Sequence, residues 1–280
     1  MADDDLTAGR VAIVTGAASG IGRATVELLV SRGFGVVAID LDADRLEWAH
    51  RVDRIAVVAG DVCSEELNQH AVDVAVERFG RLDASVLNAG VPGSGDLITA
   101  PLDLFDRVIE VNVRAVLLGI RAAVPAMRAV GGGRITVTAS TSGLAGDPLM
   151  WPYNTAKAGV INLVRAAAVD LAAQDITVNA VCPGPTETQM TAGIKQVPQR
   201  HEDLRRAIPA QRWGTPEEIA AVIGFLVSAE ASFITGAAIP VDGGITASTG
   251  QFCPAERQPQ PPNQQARTNQ ARTNQARIRS

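Results

Sequence analysis

The chain has 280 residues, and 46% of them are hydrophobic but only 4% aromatic, so its core must be built from aliphatic side chains. Its 25 Lys and Arg residues against 30 Asp and Glu give a formal net charge of −5, which argues against nucleic acid or an anionic membrane surface as the main partner. The 3 cysteines are too few and too scattered for a disulfide framework or a zinc site, and neither a basic-then-apolar leader nor a long apolar run indicates secretion or a membrane span. We therefore expect a cytoplasmic protein that binds a small molecule, with no metal, no nucleic acid and no membrane as partner.

The chain opens with a strand, a turn, a helix and a second strand. Residues 10–15 form a short apolar run, and after a glycine-rich turn the apolar residues of 21–33 recur at helical spacing. Gly33 ends this helix, and residues 35–40 follow as another buried strand. This order predicts a βαβ unit with parallel strands.

The same alternation continues along the chain. Further strands are predicted at 55–59, 84–88, 134–140, 176–181 and 237–241, with helices at 65–79, 103–128, 153–173 and 216–228. Apolar strands alternating with amphipathic helices predict an α/β fold, a single doubly wound parallel sheet of about seven strands with helices on both faces. We expect one catalytic domain over 9–250, after an N-terminal extension at 1–8.

Two segments depart from this alternation. Residues 184–214 are rich in Thr, Gln, Pro and Arg and only weakly periodic, which is typical of an active-site lid. Residues 251–280 contain two tandem ARTNQ copies and almost no large aliphatic residue, so we predict a disordered tail. The alternatives for this tail are contact with RNA or a protein partner and a functionally neutral extension.

The first turn, at 15–22, reads TGAASGIG. The first glycine permits a tight turn, the second lets backbone approach a ligand closely, and the third lets helix and strand pack closely. The helix that follows offers free N–H groups and a positive dipole end to a pyrophosphate. The turn therefore predicts a dinucleotide site, with packing alone as the alternative; the candidate contacts are Gly16, Ser19, Gly20, Ile21 and Gly22.

An acidic residue, Asp40, closes the second predicted strand, 18 residues beyond the last glycine of the turn. A carboxylate there can accept hydrogen bonds from the adenosine ribose hydroxyls, whereas a 2′-phosphate would meet a like charge. Neither Ser19 nor the neighbouring Leu41 supplies the cation that NADP would need. The sequence thus predicts NAD, the alternative being that Asp40 only opens the following turn.

Candidate cofactor contacts also follow the third and fourth predicted strands. Asp61 and Val62 follow the third strand, and Asn88, Ala89 and Gly90 follow or end the fourth. The carboxyl ends of such strands form the edge where ligands bind, so the acid is placed to accept from an adenine amino group and the NAG segment to line the cleft. The alternatives are that Asp61 caps the next helix and that Asn88 shapes a turn.

The only tyrosine, Tyr153, lies four residues before Lys157 on a predicted helix. This spacing puts phenol and ammonium on one face, with Cβ atoms roughly 5–6 Å apart. A nearby cation favours phenolate and lowers the phenol pKa from about 10 towards working pH, as an acid/base catalyst requires. Ser140, 13 residues earlier at a strand end, is placed to donate a hydrogen bond to the same substrate oxygen. Taken alone, such a Tyr–Lys pair is usually only a surface pair.

These motifs together resemble the short-chain dehydrogenases/reductases over about residues 8–248, most closely the NAD-preferring 3-oxoacyl reductase-like and secondary alcohol dehydrogenase-like members. The family's order and spacing are matched by TGAASGIG at 15–22, NAG at 88–90, Asn112 in EVNV, Ser140, YNTAK at 153–157 and PGPTET at 183–188. The resemblance implies that Tyr153 is the general acid/base and that Lys157 lowers its pKa and holds the nicotinamide ribose. It further implies that Ser140 orients the substrate oxygen and that Asn112 supports a water-linked proton relay.

The resemblance also implies further cofactor contacts and an assembly. Thr188 would contact the nicotinamide carboxamide, and the candidate contacts in this segment are Pro183, Gly184, Thr186 and Thr188. The chain departs from the family in carrying Leu87 where a first asparagine usually precedes Asn88. By the same resemblance we expect a homotetramer formed through the helices at 103–128 and 153–173.

The resulting hypothesis is an NAD(H)-dependent oxidoreductase that interconverts a secondary alcohol and a ketone. The expected pocket wall is apolar apart from the indole N–H of Trp151, and consists of Leu144, Ala145, Leu149, Met150, Trp151, Pro185 and Met190. Alternatively, Arg205, Arg206 and Arg212 contact an anionic hydroxyalkyl substrate, a sulfonate or an acyl thioester, although exposed helix charges are the favoured explanation for them. A non-catalytic NAD-binding regulator is the third hypothesis.

Overall fold

The computed structural model describes residues 9–249 and 251. The N-terminal extension predicted at 1–8 and, apart from Gln251, the tail predicted at 251–280 lie outside the described residues. The strands are β1 (Val11–Thr15), β2 (Gly35–Asp40), β3 (Ile55–Ala59), β4 (Ala84–Leu87), β5 (Gly133–Thr138), β6 (Ile176–Pro183) and β7 (Ala238–Val241).

All seven strands form one parallel sheet in the order β3-β2-β1-β4-β5-β6-β7. The strand order reverses between β1 and β4, and the crevice at such a reversal is where α/β sheets bind ligands. The predicted doubly wound sheet is confirmed.

The described helices are α1 (Gly20–Ser31), α2 (Glu65–Phe79), α3 (Leu102–Ile109), α4 (Ala115–Ala129), α5 (Trp151–Leu171), α6 (Ala192–Lys195), α7 (Pro198–Ala207) and α8 (Pro216–Leu226). Local sequence fixes several of their ends. Helix α2 begins after Ser64, whose hydroxyl accepts from the Leu67 N–H, and stops at Gly80 with φ +83°. Helix α8 begins with a capping box formed by Thr215 and Glu218.

The hydrophobic core lies on both faces of the sheet. Strand residues such as Ile13 and Val37 pack against α2, α4 and α5, whereas their neighbours Val14 and Val36 pack against α1 and α8. Successive strand side chains point to opposite faces, so the uniformly apolar strands fill two layers of core at once. Within the described part of the chain, no helix combines the length and apolar character needed to cross a membrane.

The main difference from the sequence prediction concerns the helix expected at 103–128. It is interrupted by a π turn at Glu110–Arg114, which separates α3 from α4. The side-chain amide of Asn112 donates to the Val108 carbonyl at 3.0 Å. π turns of this kind occur mostly as single insertions and are frequent at functional sites.

Smaller differences lie at element ends. Strands β4 and β5 stop before Asn88 and Ser140, so both residues lie in loops at the carboxyl edge rather than in strands. The predicted lid at 184–214 holds two short helices, α6 and α7, which its weak periodicity did not reveal.

Candidate active site

The candidate site lies at the carboxyl edge of the sheet, where the loops after β1, β4, β5 and β6 converge. The glycine turn after β1 is closely packed: Gly16 and Gly20 have φ of +67° and +52°, which favours glycine. A Cβ atom on Gly22 would lie only 2.0 Å from the Gly16 carbonyl oxygen. The turn can therefore be formed only with glycine at that position.

The N-terminus of α1 is open to an anion. Its N-cap residue, Ser19, makes no side-chain capping bond, and the first turn carries no acidic residue. The leading N–H groups and the positive end of the helix dipole are therefore available to a phosphate. With the glycine cradle, this end of the site fits the pyrophosphate of a dinucleotide.

Asp40 lies at the end of β2 beside this turn. Its Oδ2 accepts from the Ala18 N–H at 2.9 Å, and its Oδ1 is 3.5 Å from the Asp42 N–H. The carboxylate is thus fixed against the glycine turn and also starts the next turn, so the two interpretations of this residue are compatible. The next residue, Leu41, which the sequence predicts to lie beside the cofactor, is 67% exposed.

Asn88 ties three strand ends together. Its Nδ2 donates to the Thr15 carbonyl at 3.1 Å, and its Oδ1 accepts from the Thr138 hydroxyl at 3.1 Å. The Thr15 hydroxyl in turn accepts from the N–H groups of Asn88 and Ala89, at 2.9 and 3.0 Å. The Asn88 side chain therefore has a structural role, because it links the ends of neighbouring strands. Thr15 and Thr138 were not predicted from the sequence, although their positions as polar residues at the ends of apolar strands were a usable signal.

Asp61 and Val62 follow β3. The Asp61 Oδ1 accepts from the Cys63 N–H at 2.9 Å, which holds the pKa of this carboxyl below its usual value. Arg107 of α3 lies 3.7 Å from the other carboxylate oxygen. The alternative that Asp61 caps α2 is wrong, because Ser64 does so.

Tyr153, Lys157 and Ser140 come together as predicted. The Lys157 Nζ lies 5.5 Å from the centre of the Tyr153 ring, is almost fully buried, and donates to the Thr138 carbonyl at 2.8 Å. Ser140 is buried near the start of the loop after β5, two residues past the strand end, and hydrogen-bonds to the phenol.

The direction predicted for the phenol pKa is wrong for the protein alone. Burial raises the pKa of Tyr153 to about 12, opposed by the hydrogen bond from Ser140 and reinforced by the negative charge of Asp147. Burial also lowers the pKa of Lys157 to about 8. Removing both groups from water favours their neutral forms, and this outweighs the attraction that spacing on the helix suggested.

Asn112 fixes the NAG segment. Its side chain donates to the Val91 carbonyl at 3.0 Å and accepts from the Val91 N–H at 3.3 Å. A Cβ atom on Gly90 would lie 2.6 Å from the Asn112 Oδ1 and 3.5 Å from the Lys157 Nζ. The structure therefore brings Asn112, Gly90 and Lys157 together.

The loop after β6 closes the other side of the cleft. A Cβ on Gly20 would lie 3.3 Å from the Thr188 side chain, so this loop directly faces the glycine turn. Thr186 is buried and donates to the Gly184 carbonyl at 2.9 Å, so its hydroxyl is turned into the loop. Thr191, which the sequence analysis missed, donates to the Thr186 carbonyl at 2.6 Å and holds the turn.

The start of this loop is equally tight. Pro183 is the buried last residue of β6, and a Cβ on Gly184 would lie 2.8 Å from the Cα of Asp242. Asp242, the residue after β7, therefore packs against the start of this loop.

The lid arginines are engaged by carboxylates. Arg205 and Arg206 pair with Glu202 at 2.7 and 2.9 Å, and Arg212 pairs with Glu218 at 2.5 Å. These partners lower the pKa of each glutamate to about 2. Each of these arginines is thus engaged in an ion pair, within the predicted lid for Arg205 and Arg206 and with α8 for Arg212.

Trp151 does not present its indole N–H as predicted. Its ring stacks on Phe105 of α3 with centres 5.6 Å apart, and its Nε1 is enclosed with no hydrogen-bond partner among the described residues. The apolar side chains of Leu144, Leu149 and Met190 are 40, 65 and 49% exposed, as expected for a pocket entrance.

Comparison with known proteins agrees with this geometry. A family model described as enoyl-(acyl carrier protein) reductase matches residues 16–246. The 2-(R)-hydroxypropyl-CoM dehydrogenase of Xanthobacter autotrophicus is 39% identical, over 85% of this chain and 99% of its own. The cis-4-hydroxycyclohexanecarboxylate dehydrogenase of Sinomonas cyclohexanicum is 43% identical, over 85% and 97%.

Solved structures show the same fold with either dinucleotide. The 3-ketoacyl-(acyl-carrier-protein) reductase of Brucella melitensis, complexed with NADH, is 32% identical with a TM-score of 0.79 and covers 86% of this chain and 99% of its own. A Beutenbergia cavernae protein holding NADP at low occupancy is 33% identical with a TM-score of 0.81, over 86% and 98%.

The chain belongs to the short-chain dehydrogenase/reductase family. It is an oxidoreductase that acts on CH–OH groups, in a family whose members bind a nicotinamide dinucleotide.

Proposed function

We propose that the protein is an NAD(H)-dependent oxidoreductase that interconverts a secondary alcohol and a ketone. The observation that carries this proposal is the cluster of Tyr153, Lys157 and Ser140 at the same edge of the sheet as the glycine turn. A cofactor-binding regulator would need the turn but not the cluster.

The dinucleotide fits the residues present. The glycine turn and the open N-terminus of α1 would hold the pyrophosphate, Asp40 and Asp61 would accept from the adenosine moiety, and Lys157 and Thr188 would hold the nicotinamide end. When bound, the nicotinamide supplies or accepts the hydride.

The protein's own groups handle the proton and the substrate oxygen. A phenol with a pKa of about 12 is protonated at neutral pH, which is the form that donates a proton to a ketone oxygen. Ser140 donates a second hydrogen bond to that oxygen and stabilises the charge that develops on it. Lys157, with a pKa of about 8, is largely cationic at pH 7 and favours the phenolate that remains.

Tyr153→Phe tests the chemistry. We expect kcat/KM to fall about 10²–10⁴-fold, the usual worth of general acid/base assistance, with cofactor affinity within a few-fold of wild type. Steady-state rates followed at the absorbance of the reduced cofactor, with binding followed by tryptophan fluorescence, separate the two effects. Retention of more than about a tenth of the activity would refute the role of Tyr153.

The preference for NAD rests on the Asp40 carboxylate. Asp40→Asn removes the charge that would repel a 2′-phosphate, so we expect the NAD-to-NADP ratio of kcat/KM to fall about tenfold or more. Asp42→Asn, two residues further on and exposed, is the matched control and should leave the ratio unchanged. A wild-type enzyme that prefers NADP would contradict the proposal.

A further inference from the structure

The loop between β5 and α5 carries an acidic side chain, Asp147, with no role in the chemistry described above. Its Oδ2 accepts from the Ser142 hydroxyl at 2.5 Å, and its main-chain carbonyl accepts from the Asn154 side chain at 2.9 Å and from the Met150 N–H at 3.3 Å. The residue is exposed, and no donor among residues 9–249 and 251 reaches its Oδ1. One carboxylate oxygen is therefore fixed and the other is free to accept.

This carboxylate is linked to the Ser140 hydroxyl through Ser142. The Ser142 N–H donates to the Ser140 Oγ at 3.1 Å, and Ser140 hydrogen-bonds to the Tyr153 phenol. Asp147 is thus one serine away from the hydroxyl that meets the substrate oxygen. Its negative charge also acts on the phenol, where it raises the pKa of Tyr153.

We infer that Asp147 determines substrate specificity by accepting a hydrogen bond from a hydroxyl or ammonium group carried one or two carbons from the reacting carbinol. An ionised carboxylate can only accept hydrogen bonds, so it favours binding of substrates that carry donor groups and disfavours binding of anionic ones. The enzyme therefore favours diols and amino alcohols over hydroxy acids; the inference deepens the proposed function and rests on it.

The direct test is a matched set of cyclohexane substrates: cyclohexanol, the 1,2- and 1,3-diols, the corresponding aminocyclohexanols and the corresponding hydroxycyclohexanecarboxylates. In the wild type we expect kcat/KM to be highest for the diols or amino alcohols and lowest for the hydroxy acids. Asp147→Asn, which keeps the shape and removes the charge, should lower the ratio of amino alcohol to hydroxy acid about tenfold or more, since hydrogen bonds to charged groups are among the stronger ones. Asp53→Asn, at an exposed position before β3, is the control and should keep the wild-type ratio.

A second readout does not depend on turnover. Because Tyr153 is the only tyrosine, its ionisation can be followed directly by absorbance, and Asp147→Asn should lower the midpoint whereas Asp53→Asn should not. Ser142→Ala releases the carboxylate from its anchor and should give an intermediate loss of selectivity.

The outcomes separate the two proposals. An active Asp147→Asn variant with an unchanged substrate ratio overturns the specificity role alone, as does a wild type that favours the hydroxy acids. A wild type that turns over no secondary alcohol with either cofactor overturns both proposals. An unchanged tyrosine midpoint in Asp147→Asn shows that the carboxylate does not act at the phenol and also overturns the inference.

Discussion

Tyr153 is the only tyrosine in the chain, and burial raises the pKa of its phenol to about 12. We predict that the cofactor-free protein shows almost no tyrosinate absorbance at pH 10 while it remains folded. Because the unfolded phenol titrates near 10, the folded state holds the proton more tightly. The stability that this provides is present below pH 10 and is lost as the pH rises through about 12.

The measurement is an absorbance titration of tyrosinate, with circular dichroism recorded at each pH to show that the protein is native. Half-ionisation near pH 10 in a folded sample would contradict the burial of the phenol. Addition of oxidised cofactor should shift the midpoint downwards, because a positive charge close to the phenol favours phenolate.

At the scale of residues, the sequence predicted which side chains meet, because helical spacing and strand ends determine where Tyr153, Lys157 and Ser140 lie. It did not predict the direction of the phenol pKa, since that depends on burial, which spacing does not reveal. The link from Asp147 through Ser142 to Ser140 was missed for a related reason. It depends on the path of an irregular loop, which has no periodic signal.

At the scale of elements, the departure from the family pattern at Leu87 has a counterpart in α4. A Cβ atom on Gly119 would lie 2.4 Å from the Leu87 Cδ2, so the leucine fills the space that the glycine leaves. We predict that Gly119→Ala destabilises the protein by about 1–3 kcal/mol, the usual cost of overpacking a core, despite the better helix propensity of alanine. Urea unfolding measures the difference.

The control for this substitution lies on α5. Gly159 is exposed, and a Cβ there would meet only the Val113 side chain at 3.9 Å. Gly159→Ala should therefore be neutral or stabilise by up to about 1 kcal/mol. Equal effects of the two alanines would show that Leu87 does not occupy the space beside Gly119; the double variant Leu87→Ala/Gly119→Ala should recover part of the loss.

Helices and strands were predictable as elements because their apolar periodicity is strong, whereas their interruptions were not. The π turn at Glu110–Arg114 places the Asn112 side-chain amide where it donates both to the Val108 carbonyl and to the Val91 carbonyl in the loop after β4. That partner is distant in sequence, so a local pattern at 103–128 gives no sign of it. The two lid helices were missed because α6 spans only 4 residues and α7 carries no buried side chain.

At the scale of the molecule, the exposed apolar residues of α4 and α5 bear on assembly. Leu117 is 40% exposed and Val169 is 80% exposed, on the two helices expected from the family resemblance to form subunit contacts. Apolar side chains at such positions are typical of protein–protein contacts when they form part of a larger patch. We propose that these faces mediate a homotetramer.

Light scattering coupled to size exclusion tests this assembly. Light scattering should give the wild-type protein a mass of about four times that of one chain, which is 29.2 kDa. Leu117→Glu with Val169→Glu should yield dimers or monomers, because burying an unpaired charge at an interface costs several kcal/mol. The matched control is Leu97→Glu, which changes a 65% exposed leucine in the loop after β4, outside both helices in sequence, and should leave the mass unchanged. A monomeric wild type, or a double variant that keeps the wild-type mass, would contradict the proposed faces. Because the site residues described here all lie within one chain, a monomeric form should still turn over substrate.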